Sequence, residues 1–190
     1  MIENLQELPA LTAAWIASAK DDQELYAELA ETLVVEPSRL PPPAELPASV
    51  RDVLAVVDLA GKEIGAFYFS PGSGETAAER IGSYNRSVRQ TFDADPDILF
   101  LGDYGDGSVF HSSQGIGLLN LTVEPPVIRA LAPSLEGFVL VQANAYNAYK
   151  RYMVDRTDEA AYRAASDACA ASAKFAQVDV RAIFERQLKS

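Results

Sequence analysis

One histidine, one cysteine, and 27 acidic against 16 basic side chains are the chemical resources of this 190-residue chain. His111 stands beside Ser112 and Ser113. A serine nucleophile meets its base across space, with a third group orienting that base, so adjacency does not make a triad. No G-x-S-x-G elbow occurs either, and His111 reads as a strand-end residue, hydrogen-bonded or solvated. Asp93, Asp95 and Asp97 imitate the opening of a calcium loop, but Ile98 follows where glycine is needed and Tyr104 stands where a bidentate glutamate would close the site. A polar turn ahead of a strand accounts for the three acids. One cysteine and one histidine do not build a structural zinc site, and Cys169, in an alanine-rich stretch, reads as a small buried hydrophobe. Pro71-Gly-Ser-Gly74 lacks the lysine of a phosphate loop; Gly105-Asp-Gly107 lacks the third glycine and the following helix of a dinucleotide fingerprint. The expectation is a protein that is not an enzyme, with no catalytic residue, metal or cofactor.

The charge points towards a partner instead. The formal balance is −11. Residues 1–79 hold 14 acids and 4 bases, and residues 93–136 hold 7 acids and 1 base, whereas Arg80, Arg86 and Arg89 form a short basic interlude. Such a surface repels phosphate backbones, which argues against direct nucleic-acid binding. It favours fast encounter with a basic protein, although acidity for solubility accounts for the same numbers. A lone cysteine rules out an intrachain disulfide. No apolar run approaches a membrane span, and the acidic N-terminus lacks the basic flank of a signal peptide. A cytoplasmic protein is expected.

The elements that must position these residues follow from periodicity. Leu5, Leu8, Leu11, Trp15 and Ile16 mark one helix; Leu25, Tyr26, Leu29 and Leu33 mark a second, with Asp21 and Glu24 resembling its cap. Pro37, Pro41-Pro42-Pro43 and Pro47 impose an extended connector. Val50–Ala60 is ambiguous: Ser49-Val-Arg-Asp52 is a capping-box pattern, while Val53, Val56 and Val57 lean towards a strand, and a hairpin through Gly61 is a further option. Gly65–Ser70 is a predicted strand. Thr76-x-x-Glu79 opens a helix with Ile81, Tyr84, Val88 and Phe92 on its apolar face and Arg80, Asn85, Arg86 and Arg89 on a solvated one. Ile98–Leu101 and Ser108–His111 read as strands around a Gly/Asp turn, followed by a strand near Leu118–Val123 that stops at Pro125-Pro126. Leu135, Phe138, Val141, Ala145, Tyr149 and Tyr152 recur at helical spacing after Ser134. Thr157 and Asp179 look like caps of two terminal helices. Together these give an α+β fold: N-terminal helices, a central, mostly antiparallel sheet with packed helices, and a C-terminal helical extension. A single domain is expected over 1–190, divided into helices (1–36), connector (37–48), core (49–153) and terminal helices (154–190).

The stretch Ile98-Leu-Phe-Leu-Gly-Asp-Tyr-Gly-Asp-Gly-Ser-Val-Phe110 resembles the central signature of the SUKH superfamily. Leu46-Pro-Ala-Ser-Val-Arg-Asp-Val-Leu54 is similar to that family's "LP" helix, Gly65–Ser70 to the strand that follows, and Ala132-Pro-Ser-Leu-Glu-Gly-Phe138 to its closing helix. The order and spacing fit across 46–153. The Asn-Gly-Gly common after the first helix is missing, and the two ends of the chain lie outside the match. The resemblance implies an immunity protein that neutralises a cognate, basic bacterial toxin by occlusion. On that reading the partner-binding residues are Asp93, Asp95, Asp97, Asp103 and Asp106, with Tyr104 as an aromatic anchor. Asp103 and Asp106 could equally be turn-formers bonded to their own backbone. The alternative from another class is a non-catalytic adaptor or assembly protein working through its terminal helices. An enzyme would need a pocket gathering His111 with carboxylates. Oligomeric state and the partner's identity are not legible.

Overall fold

The Thr76-x-x-Glu79 capping box forms as the sequence predicts. In the computed structural model, which describes residues 1–120, 122–156 and 158–189, the Thr76 side chain accepts from the Glu79 N–H while the Glu79 carboxylate accepts from the Thr76 N–H. The helix it starts is the fourth of seven among the described residues. In chain order the helices are α1 (Leu8–Trp15), α2 (Gln23–Leu33), α3 (Ala48–Leu54), α4 (Ala77–Thr91), α5 (Leu135–Val154), α6 (Glu159–Ala171) and α7 (Val180–Lys189). The strands are β1 (Glu36–Pro37), β2 (Val57–Asp58), β3 (Glu63–Ile64), β4 (Phe67–Phe69), β5 (Leu99–Tyr104), β6 (Gly107–Ser112), β7 (Gly115–Asn120) and β8 (Val127–Ala132). The fold is α+β.

Strands β3 to β8 form one antiparallel meander in sequence order, and β1 pairs with β2 in a separate ribbon. Helix α4 covers one face of the sheet, where Tyr84 and Val88 pack with Phe100, Phe110 and Leu119. Helix α5 lies against the other face, surrounded by α1, α3, α6 and α7. Residues 137–145 of α5 are all buried, so this helix is apolar all round rather than striped as its spacing suggests. The terminal helices belong to the same core: Tyr162, Cys169, Phe175, Val180, Ile183 and Phe184 join it. They are not an appendage.

Several local expectations change. Val50–Ala60, left open with a lean towards strand, divides into helix α3 and strand β2. The β-branched residues Val50 and Val53 accept helix because they and Leu54 bury a stripe against α5, and tertiary packing overrides intrinsic preference. Ser49 does not cap α3; Pro47 occupies that position, and its carbonyl takes the Val50 and Arg51 N–H groups. For α2 the cap is Asp22, whose side chain accepts from Leu25 N–H, and Leu25 itself is exposed. The hairpin turns at Gly65, joining β3 to β4, rather than at Gly61. Strand β8 follows Pro126, where no strand was expected. For α6, Asp158 caps the start, while the expected cap Thr157 lies outside the described residues, as does Leu121 of the expected 118–123 strand.

Candidate functional site

The six residues expected to meet a partner all lie on or beside β5. Asp93, Asp95 and Asp97 occupy the loop that enters this strand, and all three are exposed. The loop is held from α4: Arg89 donates to the carbonyls of Ala94 (3.0 Å) and Ile98 (2.5 Å), and its guanidinium sits 5.8 Å from the Phe100 ring centroid. Arg89 is thus a loop-positioning residue and not the solvated one the helical pattern suggested. Within the loop, Asp95 accepts from the Asp97 N–H at 2.9 Å. No ion pair among the described residues uses any of the three acids.

Beside them, Asn85 closes the gap beyond the end of β4. Its side chain accepts from Phe100 N–H (2.9 Å) and donates to the Phe100 carbonyl (2.7 Å) and the Ile81 carbonyl (2.8 Å). Placed on a solvated face from sequence, it instead ties α4 to the sheet where no strand neighbour supplies partners.

At the other end of β5, Gly105 and Asp106 make the two-residue turn into β6, and Asp106 is exposed. Gly105 has φ +58°, the left-handed region such turns require. Six residues at about 3.3 Å each place this tip ~20 Å from the 93–97 loop. The acids therefore form two patches, not one.

Two assignments are corrected. Tyr104 is 1% exposed and cannot anchor a partner. Its ring packs on Phe138 (5.7 Å between centroids), the Arg186 guanidinium covers it at 4.3 Å, and burial raises its phenol pKa. The cause is a β-bulge between Phe100 and Gly102. Regular alternation would send Tyr104 to the same face as Phe100, but the extra residue reverses the faces after it. The same reversal aims Asp103 at α4, where its carboxylate accepts from the Tyr84 hydroxyl, which also lies 2.9 Å from Ser108 Oγ. Asp103 is half-buried and engaged by Tyr84 rather than by its own backbone. Burial first, and then the Asp103 bond, raise the Tyr84 pKa.

His111, on β6, meets α3 rather than its neighbouring serines: Nε2 lies 2.7 Å from Ser49 Oγ. Ser49 in turn borders a shallow pocket of about 200 Å³ with Asp52 and Glu136. Among the described residues no carboxylate bonds the other ring nitrogen, so the pair fastens α3 to the sheet. Burial lowers the His111 pKa. No group of three or more His, Cys, Asp or Glu able to hold a metal occurs among the described residues. Cys169 is buried, which pushes its thiol up to about 11 and away from the reactive thiolate.

Comparison with family models, curated proteins and solved structures found no match. No helix among the described residues is long and apolar enough to cross a membrane.

Proposed function

We propose that this protein is a cytoplasmic, SUKH-type immunity protein that binds a basic toxin and silences it by occlusion, without turnover or cofactor. The observation carrying this reading is the 93–97 loop: three exposed carboxylates on a segment that Arg89 pins from within. A preorganised charged loop costs little ordering entropy on docking and steers a cationic partner in. Asp106 supplies a second acidic point at the hairpin tip. The element order also favours the reading, since α3, β4, the β5–β6 hairpin and α5 occur in the sequence that the SUKH resemblance implies. An adaptor working through its terminal helices is the weaker reading, because α6 and α7 already spend their apolar faces on the core.

The test is co-expression with the product of a toxin gene encoded beside this chain's own. Restored growth and stoichiometric block of the purified toxin are expected; no protection overturns the reading. Converting Asp93, Asp95 and Asp97 together to lysine should slow association at least tenfold at low salt, with the difference shrinking as salt rises. An unchanged rate would remove the loop from the interface.

A further inference from the structure

One cleft lies away from both acidic patches. It measures about 710 Å³ and runs between the β1–β2 ribbon, the proline connector and the first turn of α4. Its walls are apolar, built from connector prolines with Leu40, Leu54, Val57 and Ala77. Leu40 is 71% exposed and adds to the apolar lining of the cleft. The volume falls in the range of sites that take a side chain or small ligand.

The rim fixes the sign of the occupant. Glu36, Glu45, Asp58 and Glu75 line the cleft, all exposed, and Arg39 is the one basic side chain among the described lining residues. That arginine is engaged with Glu36 at 2.9 Å. Glu36 and Asp58 stand directly opposite each other across the ribbon, a like-charge pairing that Arg39 relieves at Glu36, while Asp58 accepts from the Ala60 N–H at 3.0 Å. The start of α4, which would otherwise favour an anion, is already answered by the Glu79 carboxylate of the capping box. The rim is net acidic, with four carboxylates against one arginine.

We infer that the cleft receives an arginine side chain from an extended, positively charged segment of a partner polypeptide. Arginine fits better than lysine: its planar, weakly hydrated guanidinium tolerates the proline and leucine walls while pairing with carboxylates at the mouth. Because the inference deepens the proposed function by naming the partner's chemistry, it rests on that reading for its biological sense, but it places the contact outside the 93–97 loop.

The experiment titrates the full chain with a fluorescein-labelled Gly-Arg-Leu-Arg-Gly peptide, read by anisotropy and by backbone amide shift mapping. A peptide with citrulline for arginine and one with lysine serve as comparisons. The expected result is saturable binding with shifts centred on Leu40, Ala60, Ala77 and Ala78, at least tenfold weaker binding for lysine, and no saturation for citrulline. The triple variant Glu45→Gln, Asp58→Asn, Glu75→Gln should lose at least tenfold in affinity. Leu40→Ser, at a site too exposed to threaten folding, should lose several-fold. Equal binding of the citrulline peptide, shifts mapping elsewhere, or wild-type affinity in both variants overturns the inference. The two readings fail separately: a chain that takes the peptide in this cleft yet protects against no toxin sinks the immunity reading alone. One that neutralises a basic toxin equally well with the triple variant sinks the cleft alone.

Discussion

Asn85 shows how much one amide can hold. Its carboxamide satisfies both backbone groups of Phe100 at the point where β4 has ended, and it returns a bond to its own helix. Replacing it with alanine strands those groups in a half-buried position, and Asn85→Ala should lower stability by about 1–3 kcal/mol. Urea unfolding followed by circular dichroism reads this directly; a midpoint within error of the parent would show that water substitutes for the side chain. His111 makes a different prediction. Burial holds its folded-state pKa below the ordinary 6.5, so the unfolded chain binds the proton more readily. The stability this residue contributes is present above pH ~6.5 and is lost as pH falls through the lower folded value. Its ring-proton resonance should titrate with a midpoint below 6.5, and a midpoint above it would mean that the Ser49 contact favours the charged ring. From sequence, Asn85 reads as solvated, and His111 as a strand-end residue with no partner named. The Ser49–His111 contact spans 62 positions, and nothing local announces a bond of that separation.

Among the elements, legibility tracks how local the cause is. The Thr76/Glu79 box is a signal four residues long, and it formed as written. Thr76→Ala should cost about 1 kcal/mol, checked by thermal or urea unfolding. The same change removes a hydrogen bond that helps hold the Glu79 carboxyl below its usual value, so in the variant the acid loss due to Glu79 still begins at its unfolded-state pKa but is smaller, and the lower end of that limb moves to higher pH. No displacement of that limb would mean that the backbone N–H bonds alone set the Glu79 pKa. The β5 bulge is the opposite case. Ile98–Leu101 announces a strand, but the extra residue exists only relative to β6, and it alone decides that Tyr104 points in while Asp103 meets Tyr84. Gly102 shows why it sits there: a Cβ at that position would overlap the Tyr68 carbonyl of β4. Similarly, α3 emerges from a valine-rich stretch because α5 offers it a surface, which the segment's own propensities do not reveal.

For the whole molecule, net charge was readable from composition, whereas the arrangement of charge was not. The acids expected to act together separate to opposite ends of β5, and the acids at the cleft rim gather from positions 36, 45, 58 and 75 through the fold of the connector. The α+β class followed from element order. The centrality of α5 did not, because its periodic residues describe one face of a helix that is covered on every side. That enclosure has a dynamic corollary. The backbone amides of 137–145 lie beneath both the sheet and the N- and C-terminal helices, so partial opening of any one layer leaves them shielded. Their deuterium uptake should be the slowest in the molecule and should track the free energy of complete unfolding. The amides of the half-exposed helix α2 should exchange through far cheaper fluctuations. Faster uptake in 137–145 than the global unfolding equilibrium permits would reveal a helix that can leave its sheath without dismantling the rest.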